Sequence, residues 1–401
     1  MALSRQENST DRVAASSRSD GTRAVSWPVP QAAYVHVPFC RHRCGYCNFS
    51  VLAGRDRDYA ESYLQALEVE LRQLQHPRGV QTLFIGGGTP THLPHDWLAK
   101  LLDLVTHWFP LLPAGEFSVE ANPRDIDRQR LQVLAAAGVN RLSLGVQSFD
   151  RNVLDVLERD HDRRSAEDAI SSAAAVLGNV SVDLIFASPG QRLAQWQHDL
   201  DTAVGLPISH ISTYGLTFEK GTRFWARRDK GEMRAASEGL ELQMYKLAMD
   251  RLAAAGFEHY EISNFAKPGF ACQHNQAYWQ GAGWYAAGPG AARFVDGRRE
   301  VNHRSPTTYI QRLLTGQDVT TESERLDRPQ WAREQLVFGL RMLAGIDLKT
   351  IQTQTGIDLE MDRGEAIAQL VRDGWLERTG TRIKLSPQGL LLSDSISAKL
   401  F

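Results

Sequence analysis

The sequence has little cysteine, no long hydrophobic run and almost no net charge. Its 401 residues include only 4 cysteines, too few for the disulfide framework of a small secreted protein. No apolar run approaches the ~18 residues of a transmembrane helix. The formal net charge of −2 argues against a general nucleic-acid binder, so we expect no nucleic-acid partner. These absences favour a globular protein of the reducing cytoplasm.

The N-terminal stretch lacks the apolar core of a secretory signal. Residues 1–30 are rich in Ser, Arg, Asp and Thr, and Pro28 and Pro30 close the stretch. We therefore predict a disordered N-terminal extension over residues 1–30.

From residue 31 onward, short apolar runs alternate with segments of helical spacing. This alternation is typical of βαβ units on a parallel sheet. About six units are visible, fewer than the eight of a complete barrel. The fold class is therefore α/β, with a partial (βα)6 barrel as the core. The predicted strands cover residues 33–37, 82–85, 117–120, 141–146, 181–185 and 210–216.

The pattern changes after residue 257. Residues 257–291 are rich in glycine and aromatic side chains, which indicates a lid or cavity lining rather than a regular element. Residues 366–385 then read as helix, strand, turn and strand, similar to an α+β winged-helix module. We therefore place the core domain at residues 31–306 and a C-terminal domain at residues 307–401.

Three of the four cysteines lie within eight positions. Cys40, Cys44 and Cys47 have the spacing C-x3-C-x2-C. A cubane iron–sulfur cluster has four irons, so three thiolates leave one iron open for a small chelating cofactor. The alternative is a structural zinc site with His36 or His42 as the fourth ligand.

Further polar and glycine residues follow the predicted strands. The run from Gly86 to Pro90 reads Gly-Gly-Gly-Thr-Pro, which matches neither a dinucleotide fingerprint nor a Walker loop. Its glycines would let the backbone approach a ligand, or would simply form a tight turn. Four side chains complete a pocket suited to an amino acid joined to a nucleoside: acids for ribose hydroxyls and an arginine for a carboxylate. They are Glu120, Gln147, Arg159 and Asp183, and a solvated charge or a satisfied hydrogen bond is the alternative for each.

These motifs resemble the radical S-adenosylmethionine superfamily. The runs Tyr34-Val-His-Val-Pro-Phe-Cys40 and Gly145-Val-Gln-Ser-Phe149 resemble the branch that holds oxygen-independent coproporphyrinogen III oxidase and the HemW heme chaperones. The resemblance extends from residue 33 to the C-terminus, so residues 307–401 would be a HemN-type domain.

Two features favour the HemW group over the oxidases. The oxidases usually carry a further cysteine after the triplet, whereas Cys47 is followed here by Asn48 and Phe49. The runs from Tyr260 to Phe265 (YEISNF) and from His274 to Trp279 (HNQAYW) match that group. An oxidative decarboxylase of the oxidase type is the alternative function. A zinc-bound nucleic-acid reader is a third.

The resemblance implies three bound groups. Cys40, Cys44 and Cys47 would ligate a 4Fe–4S cluster, and S-adenosylmethionine would chelate the fourth iron and yield a 5′-deoxyadenosyl radical on reduction. Heme would be the cargo, with His274 as axial ligand or Cys272 in its place. The competing interpretation is a structural hydrogen bond between His274 and Tyr278. The positions that line the cofactor pocket are Tyr34, Tyr46, Gly87, Gly88, Thr89, Glu120, Gln147, Arg159, Asp183 and Gly215.

The implied partners are heme-accepting proteins, with membrane-bound respiratory enzymes among the candidates, and a homodimer is a candidate assembly. The sequence departs from the family at Asn48, where Asp is common, and at Ala187 and Ala292. The last departure concerns the cargo pocket and not the cluster.

Overall fold

The computed structural model describes residues 26–401. The predicted disordered extension therefore lies outside the described residues as far as residue 25. From Trp27 the chain is packed: its ring centroid lies 4.6 Å from that of Trp331, and the Arg328 guanidinium lies 4.0 Å above the Trp27 ring.

The strands form one large sheet and two small ones. Their bounds are β1 (Ala32–Val37), β2 (Phe39–Cys40), β3 (Leu52–Ala53), β4 (Val80–Gly87), β5 (Leu111–Ala121), β6 (Arg141–Gln147), β7 (Val180–Phe186), β8 (His210–Gly215), β9 (Glu258–Glu261), β10 (Asn264–Ala266), β11 (Trp284–Ala287), β12 (Ala292–Val295), β13 (Arg298–Asn302), β14 (Thr320–Arg325), β15 (Ile346–Asp347), β16 (Leu376–Thr379) and β17 (Arg382–Leu385).

The α-helices follow the strands in regular alternation through the first half of the chain. Their bounds are α1 (Asp56–Arg72), α2 (His95–Trp108), α3 (Arg128–Ala136), α4 (Arg151–Val156), α5 (Arg163–Leu177), α6 (Leu193–Val204), α7 (Arg223–Asp229), α8 (Glu238–Ala254), α9 (Gln273–Trp279), α10 (Pro306–Leu314), α11 (Arg328–Gly339), α12 (Leu348–Thr355), α13 (Leu359–Arg372) and α14 (Ser393–Leu400).

Six parallel strands form the core of the large sheet. β1, β4, β5, β6, β7 and β8 are neighbours in that order, and each adjacent pair is parallel. At least one helix follows each strand before the next, as βαβ connections require. This arrangement confirms the predicted partial (βα)6 barrel.

The helices pack on the sheet through apolar faces and begin at capping residues. In α2, Leu98, Leu101 and Val105 recur at helical spacing and are buried. The side chain of Asp162 accepts a hydrogen bond from Ser165 N at the start of α5, which satisfies a backbone donor that the helix leaves free.

Further strands extend the sheet at both edges, and all are antiparallel to their neighbours except β11, which is parallel to β1. β11 pairs with β1 and leads to β12, β13 and β14, while β10 and β9 follow β8. The expected lid over residues 257–291 is therefore wrong in part: the segment supplies three of these strands and helix α9. The backbone of this segment pairs with the edges of strands already in the sheet. Composition alone does not predict such pairing.

The C-terminal domain has its own hydrophobic core. Helices α11 to α14 pack around the small sheet β15–β17–β16, which confirms the winged-helix-like interpretation. The predicted domain boundary after residue 306 differs from this packing. Helix α10 packs its Tyr309 and Ile310 in the barrel core, and β14 belongs to the large sheet. Within residues 26–401, no helix is long and apolar enough to cross a membrane.

Candidate functional site

The cysteine triplet lies at the carboxyl end of the parallel strands. The loop leaves β1 through the short strand β2, which pairs with β3 and closes the loop on itself. Within it, Cys47 N donates to Cys44 O over 3.2 Å and Gly54 N donates to Cys40 O over 2.8 Å. All three thiols are free, with Cys44 buried and the other two partly buried. The loop thus brings the three cysteines to the mouth of the barrel, where barrel active sites lie.

The sulfur atoms are set among hydrogen-bond donors and a cation. Cys40 Sγ lies 3.6 Å from Thr89 Oγ1, and Cys44 Sγ lies 3.7 Å from Nη1 of Arg159. Burial raises the pKa of Cys40 to about 12 and also raises the pKa of Cys47. Thiols with pKa values this high keep their protons near neutral pH unless a metal ion binds in place of the proton. These features fit an iron–sulfur cluster.

The histidines proposed for a zinc site are otherwise engaged. His36 Nε2 donates to Ser50 O over 2.8 Å and its Nδ1 accepts from Tyr34 Oη over 3.1 Å. His42 Nε2 donates to Glu158 O over 2.6 Å. In the described part of the chain, no three His, Cys, Asp or Glu side chains converge on a single ion. A cubane does not require such convergence, because each thiolate binds a different iron.

The glycine turn after β4 is packed too tightly for any side chain. A Cβ on Gly88 would lie 2.6 Å from Phe39 O and 2.7 Å from Val37 O. Gly87 has φ of 101°, a left-handed conformation that glycine adopts without strain. Gly88 N donates to Val37 O over 2.8 Å. The turn is thereby fixed against the strand that carries Cys40, and its residues Gly87, Gly88 and Thr89 line the cavity.

Two partly buried carboxyl groups lie on adjacent parts of the mouth. Glu120 Oε2 accepts from Gly87 N over 2.8 Å, and Asp183 accepts from Ser143 Oγ over 3.2 Å. Burial raises the pKa of Glu120 to about 7, with the nearby Asp183 carboxyl adding to the shift. Burial likewise raises the pKa of Asp183. Desolvated carboxyl groups of this kind are common where a polar ligand binds.

Gln147 and Arg159 stand at the end of β6. Gln147 has φ of 68°, which is rare for a residue with a side chain and usual at functional sites. Arg159 Nη2 donates to Gly145 O over 2.6 Å, and its Nε is buried without a hydrogen-bond partner. Nearby phenol and thiol groups raise the pKa of the Arg159 guanidinium although burial opposes the rise. Arg159 therefore faces the cluster loop as a permanent cation.

These residues surround a cavity of about 1430 Å³. The structure brings most predicted site residues into its wall: Cys40, Cys44, Tyr46, Cys47, Gly87, Gly88, Thr89, Glu120, Gln147, Arg159, Asp183 and Gly215. Tyr34 lies deeper and packs beside Phe84 at 6.2 Å between ring centroids. It supports the wall through His36 and does not line the cavity.

His274 lies elsewhere. It is buried on α9, where Nδ1 is 2.9 Å from Thr82 Oγ1 and Nε2 is 3.2 Å from Tyr278 Oη. Its ring stacks on Phe84 with centroids 5.0 Å apart. Both nitrogens are thus engaged inside the barrel, and the competing interpretation of a structural hydrogen bond to Tyr278 describes the geometry. The geometry does not support the expected ligation of heme iron by His274.

Cys272 is also remote from the cavity wall. Its thiol is buried, and Sγ donates to Glu116 Oε1 over 3.3 Å. Burial raises the pKa of Cys272 to about 12. What separates Cys272 from the cluster cysteines is its position, because it is fully buried and does not line the cavity.

The far wall of the cavity was not predicted from the sequence, and it is formed by the C-terminal domain. Trp375, Arg341 and the run Leu390–Leu392 line it. From the barrel side, Tyr245 and Ile262 complete this wall. A run of three leucines beside Gly389 was the one signal that an apolar surface lay there. The cavity therefore has a polar end at the cluster loop and an apolar end between the two domains.

Two family models match the chain. Residues 34–203 match the radical SAM superfamily, and residues 326–392 match the HemN C-terminal domain. The second match begins at residue 326, close to the start of the separate C-terminal core.

The chain is similar to curated proteins over most of its length. It is 34% identical to the heme chaperone HemW of Bacillus subtilis over 371 residues, covering 91% of this chain and 98% of that protein. It is 36% identical to the heme chaperone HemW of Mycobacterium tuberculosis, covering 92% and 94%.

A solved structure shares the fold. The coproporphyrinogen III oxidase HemN of Escherichia coli, a radical SAM enzyme, superposes with a TM-score of 0.82 at 24% identity, covering 94% of this chain and 91% of that one. At this identity the likeness concerns the fold alone. The sequence identity to the two HemW proteins is higher, at 34% and 36%, and extends over nearly their whole length. The chain therefore belongs to the HemW family of the radical S-adenosylmethionine superfamily.

Proposed function

We propose that this protein is a heme chaperone. It binds a 4Fe–4S cluster through Cys40, Cys44 and Cys47, S-adenosylmethionine beside that cluster, and heme at the apolar end of the same cavity. It delivers heme in the cytoplasm to acceptor proteins, among them membrane-bound respiratory enzymes. The relatives named heme chaperones and the two-ended cavity support this proposal.

The size and lining of the cavity carry the proposal. Sites for one drug-sized ligand measure ~300–1,000 Å³, and about 1430 Å³ leaves room for a second molecule. In the apolar part of the lining, Leu392 is 41% accessible and Leu242 is 37% accessible, and Trp375 and Tyr245 also line the cavity. Aromatic and leucine side chains in one concave wall suit a flat, apolar macrocycle.

The polar end fits the implied cofactors. The Gly87–Thr89 turn offers backbone groups, Glu120 and Asp183 offer carboxyl oxygens, and Arg159 offers a cation beside Cys44. A bound cluster and S-adenosylmethionine would supply one-electron chemistry, while the protein positions them and limits access of water. Phe49 stands two residues after Cys47, where the oxidases usually carry a further cysteine, which supports the chaperone over the oxidative decarboxylase.

The test is a hemin titration of the full chain after anaerobic cluster reconstitution. We expect about four irons and four sulfides per chain, and a Soret band that saturates at one hemin per chain. Cys44→Ser should lose the cluster, and Cys272→Ser, the matched thiol variant, should retain it. Transfer of the bound hemin to apomyoglobin would show that the cargo is releasable.

Three results would contradict the proposal or one of its parts. The absence of a saturable Soret band would remove the heme-binding role. Formation of protoporphyrinogen from coproporphyrinogen III with reductant and S-adenosylmethionine would make the protein an oxidase instead. Equal metal loss in both cysteine variants would contradict the ligand assignment.

A further inference from the structure

The far wall of the cavity contains a single arginine away from the cluster loop. Four arginines line the cavity in the described part of the chain: Arg41, Arg43, Arg159 and Arg341. The first two belong to the cluster loop, and Arg159 contacts Cys44. Arg341 stands among the apolar residues of the C-terminal domain and the β9–β10 turn. Of these four arginines, Arg341 is the one that lies at the apolar end.

Arg341 is held in place but is incompletely paired. Its guanidinium lies 4.5 Å above the Trp279 ring, and its backbone O accepts from Ile262 N over 3.2 Å. Its Nη2 is 3.9 Å from Glu261 Oε2, too far for a hydrogen bond. Arg341 Nε and Glu261 Oε2 are both buried without hydrogen-bond partners. The Arg341 side chain is 28% exposed, so its guanidinium can form a charge-assisted hydrogen bond with a carboxylate that enters the cavity.

Acidic side chains line the cavity on both its barrel side and its C-terminal side. Glu238, Glu241 and Asp394 also line the cavity and are exposed. Heme carries two propionate carboxylates on one edge of its ring. Negative charge on the rim opposes an orientation in which those carboxylates face it. A cation remains available to them at Arg341.

We infer that Arg341 binds a heme propionate and sets the orientation of the macrocycle in the cavity. This inference rests on the proposed heme-binding function. The ring lies against the apolar wall at Leu390–Leu392 with its propionate edge toward Arg341. A guanidinium suits this contact because its planar fork pairs with both oxygens of one carboxylate.

The experiment compares hemin with hemin dimethyl ester, which lacks the free carboxylates. The full chain, with its cluster reconstituted, is titrated with each compound as wild type, Arg341→Met, Arg341→Lys and the matched control Arg372→Met. Arg372 is exposed on α13 and donates to Gln369 Oε1. Circular dichroism and iron content verify that each variant is folded.

We expect wild type to bind hemin about 10- to 100-fold more tightly than the ester, the range of a charge-assisted hydrogen bond. Arg341→Met should weaken hemin binding by a similar factor and leave ester binding within about twofold. The hemin affinity of Arg341→Lys should lie between those of wild type and Arg341→Met, since lysine keeps the charge but lacks the planar guanidinium. If Arg341→Met misfolds, Arg341→Lys takes its place in the comparison. Arg372→Met should behave as wild type.

The results distinguish a failure of heme binding from a failure of the role given to Arg341. If wild type binds neither compound, the proposed function fails and this inference fails with it. If wild type binds both equally, or if Arg341→Met weakens both equally, heme binding stands and the assignment of Arg341 is wrong.

Discussion

Gly88 is the position where a single methyl group should disturb the cluster loop most directly. In Gly88→Ala the new Cβ would lie 2.6 Å from Phe39 O, whereas real Cβ contacts are essentially never under 3.0 Å. The obstructing atoms belong to the backbone at Val37 and Phe39, so no side-chain rotation relieves the contact. The segment that ends at Cys40 must therefore move by at least about 0.4 Å.

The magnitude follows from the packing. Overpacking a close-packed region costs about 1–3 kcal/mol. Gly88 N and Thr89 N donate to Val37 O and Phe39 O over 2.8 Å and 2.6 Å, and the displacement would stretch both bonds. We expect Gly88→Ala to lower the free energy of unfolding of the barrel by about 1–3 kcal/mol. We also expect it to weaken S-adenosylmethionine binding about fivefold or more.

The assays are iron and sulfide content after reconstitution, equilibrium binding of S-adenosylmethionine and urea unfolding. Gly364→Ala is the matched control, because Gly364 lies inside α13 and its added Cβ meets only Glu360 Oε2 at 3.6 Å. Alanine favours a helix interior over glycine by ~1 kcal/mol, so this control should be slightly stabilised with unchanged cofactor binding. A Gly88→Ala protein with full iron and wild-type affinity would refute the reasoning.

Two further predictions concern buried titratable groups. The folded-state pKa of Glu120, about 7, lies above its ordinary 4.5, so its stabilising contribution is complete below about pH 4.5 and is lost as pH rises through 7. The unfolding temperature of the cofactor-free protein should fall between about pH 5 and 8, and it should fall less in Glu120→Gln than in wild type. An equal fall in both proteins would contradict the raised pKa of Glu120. His274→Ala should lower the free energy of unfolding by about 2–4 kcal/mol, because it leaves a cavity and removes the hydrogen-bond partner of Thr82 and of Tyr278. Hemin affinity of the folded variant should stay within about twofold of wild type, and a complete loss of the Soret band would instead restore His274 as the ligand.

The barrel was predictable because its signals are local. The six parallel strands carry short groups of apolar residues, such as Leu184–Phe186 in β7, with helical periodicity between the strands. The edge strands were not predictable in the same way. The segment from Glu258 to Ala287 becomes regular only because strand edges of β1 and β8 are available to it. Pairing between distant segments leaves little trace in composition.

The polar end of the site was predictable for a geometric reason. Carboxyl ends of adjacent parallel strands meet at one rim, so Cys40, Glu120, Gln147 and Asp183 had to converge once the barrel was recognised. The apolar end was not predictable, since it depends on where the C-terminal domain docks. Arg341, Trp375 and Leu391 approach the barrel only through that docking.

The two runs that distinguish this chain from the oxidases act together at that docking surface. Leu343 N donates to Tyr260 O and Ile262 N donates to Arg341 O, over 3.1 Å and 3.2 Å, so the run from Tyr260 to Phe265 holds the C-terminal domain. Trp279, at the end of the run that begins with His274, stacks beneath the same arginine. Both runs therefore fix Arg341 against the cavity rather than supply an iron ligand. On the proposed heme-binding function, substitutions around Arg341, and not at the cysteine triplet, should change the preference between hemin and its dimethyl ester.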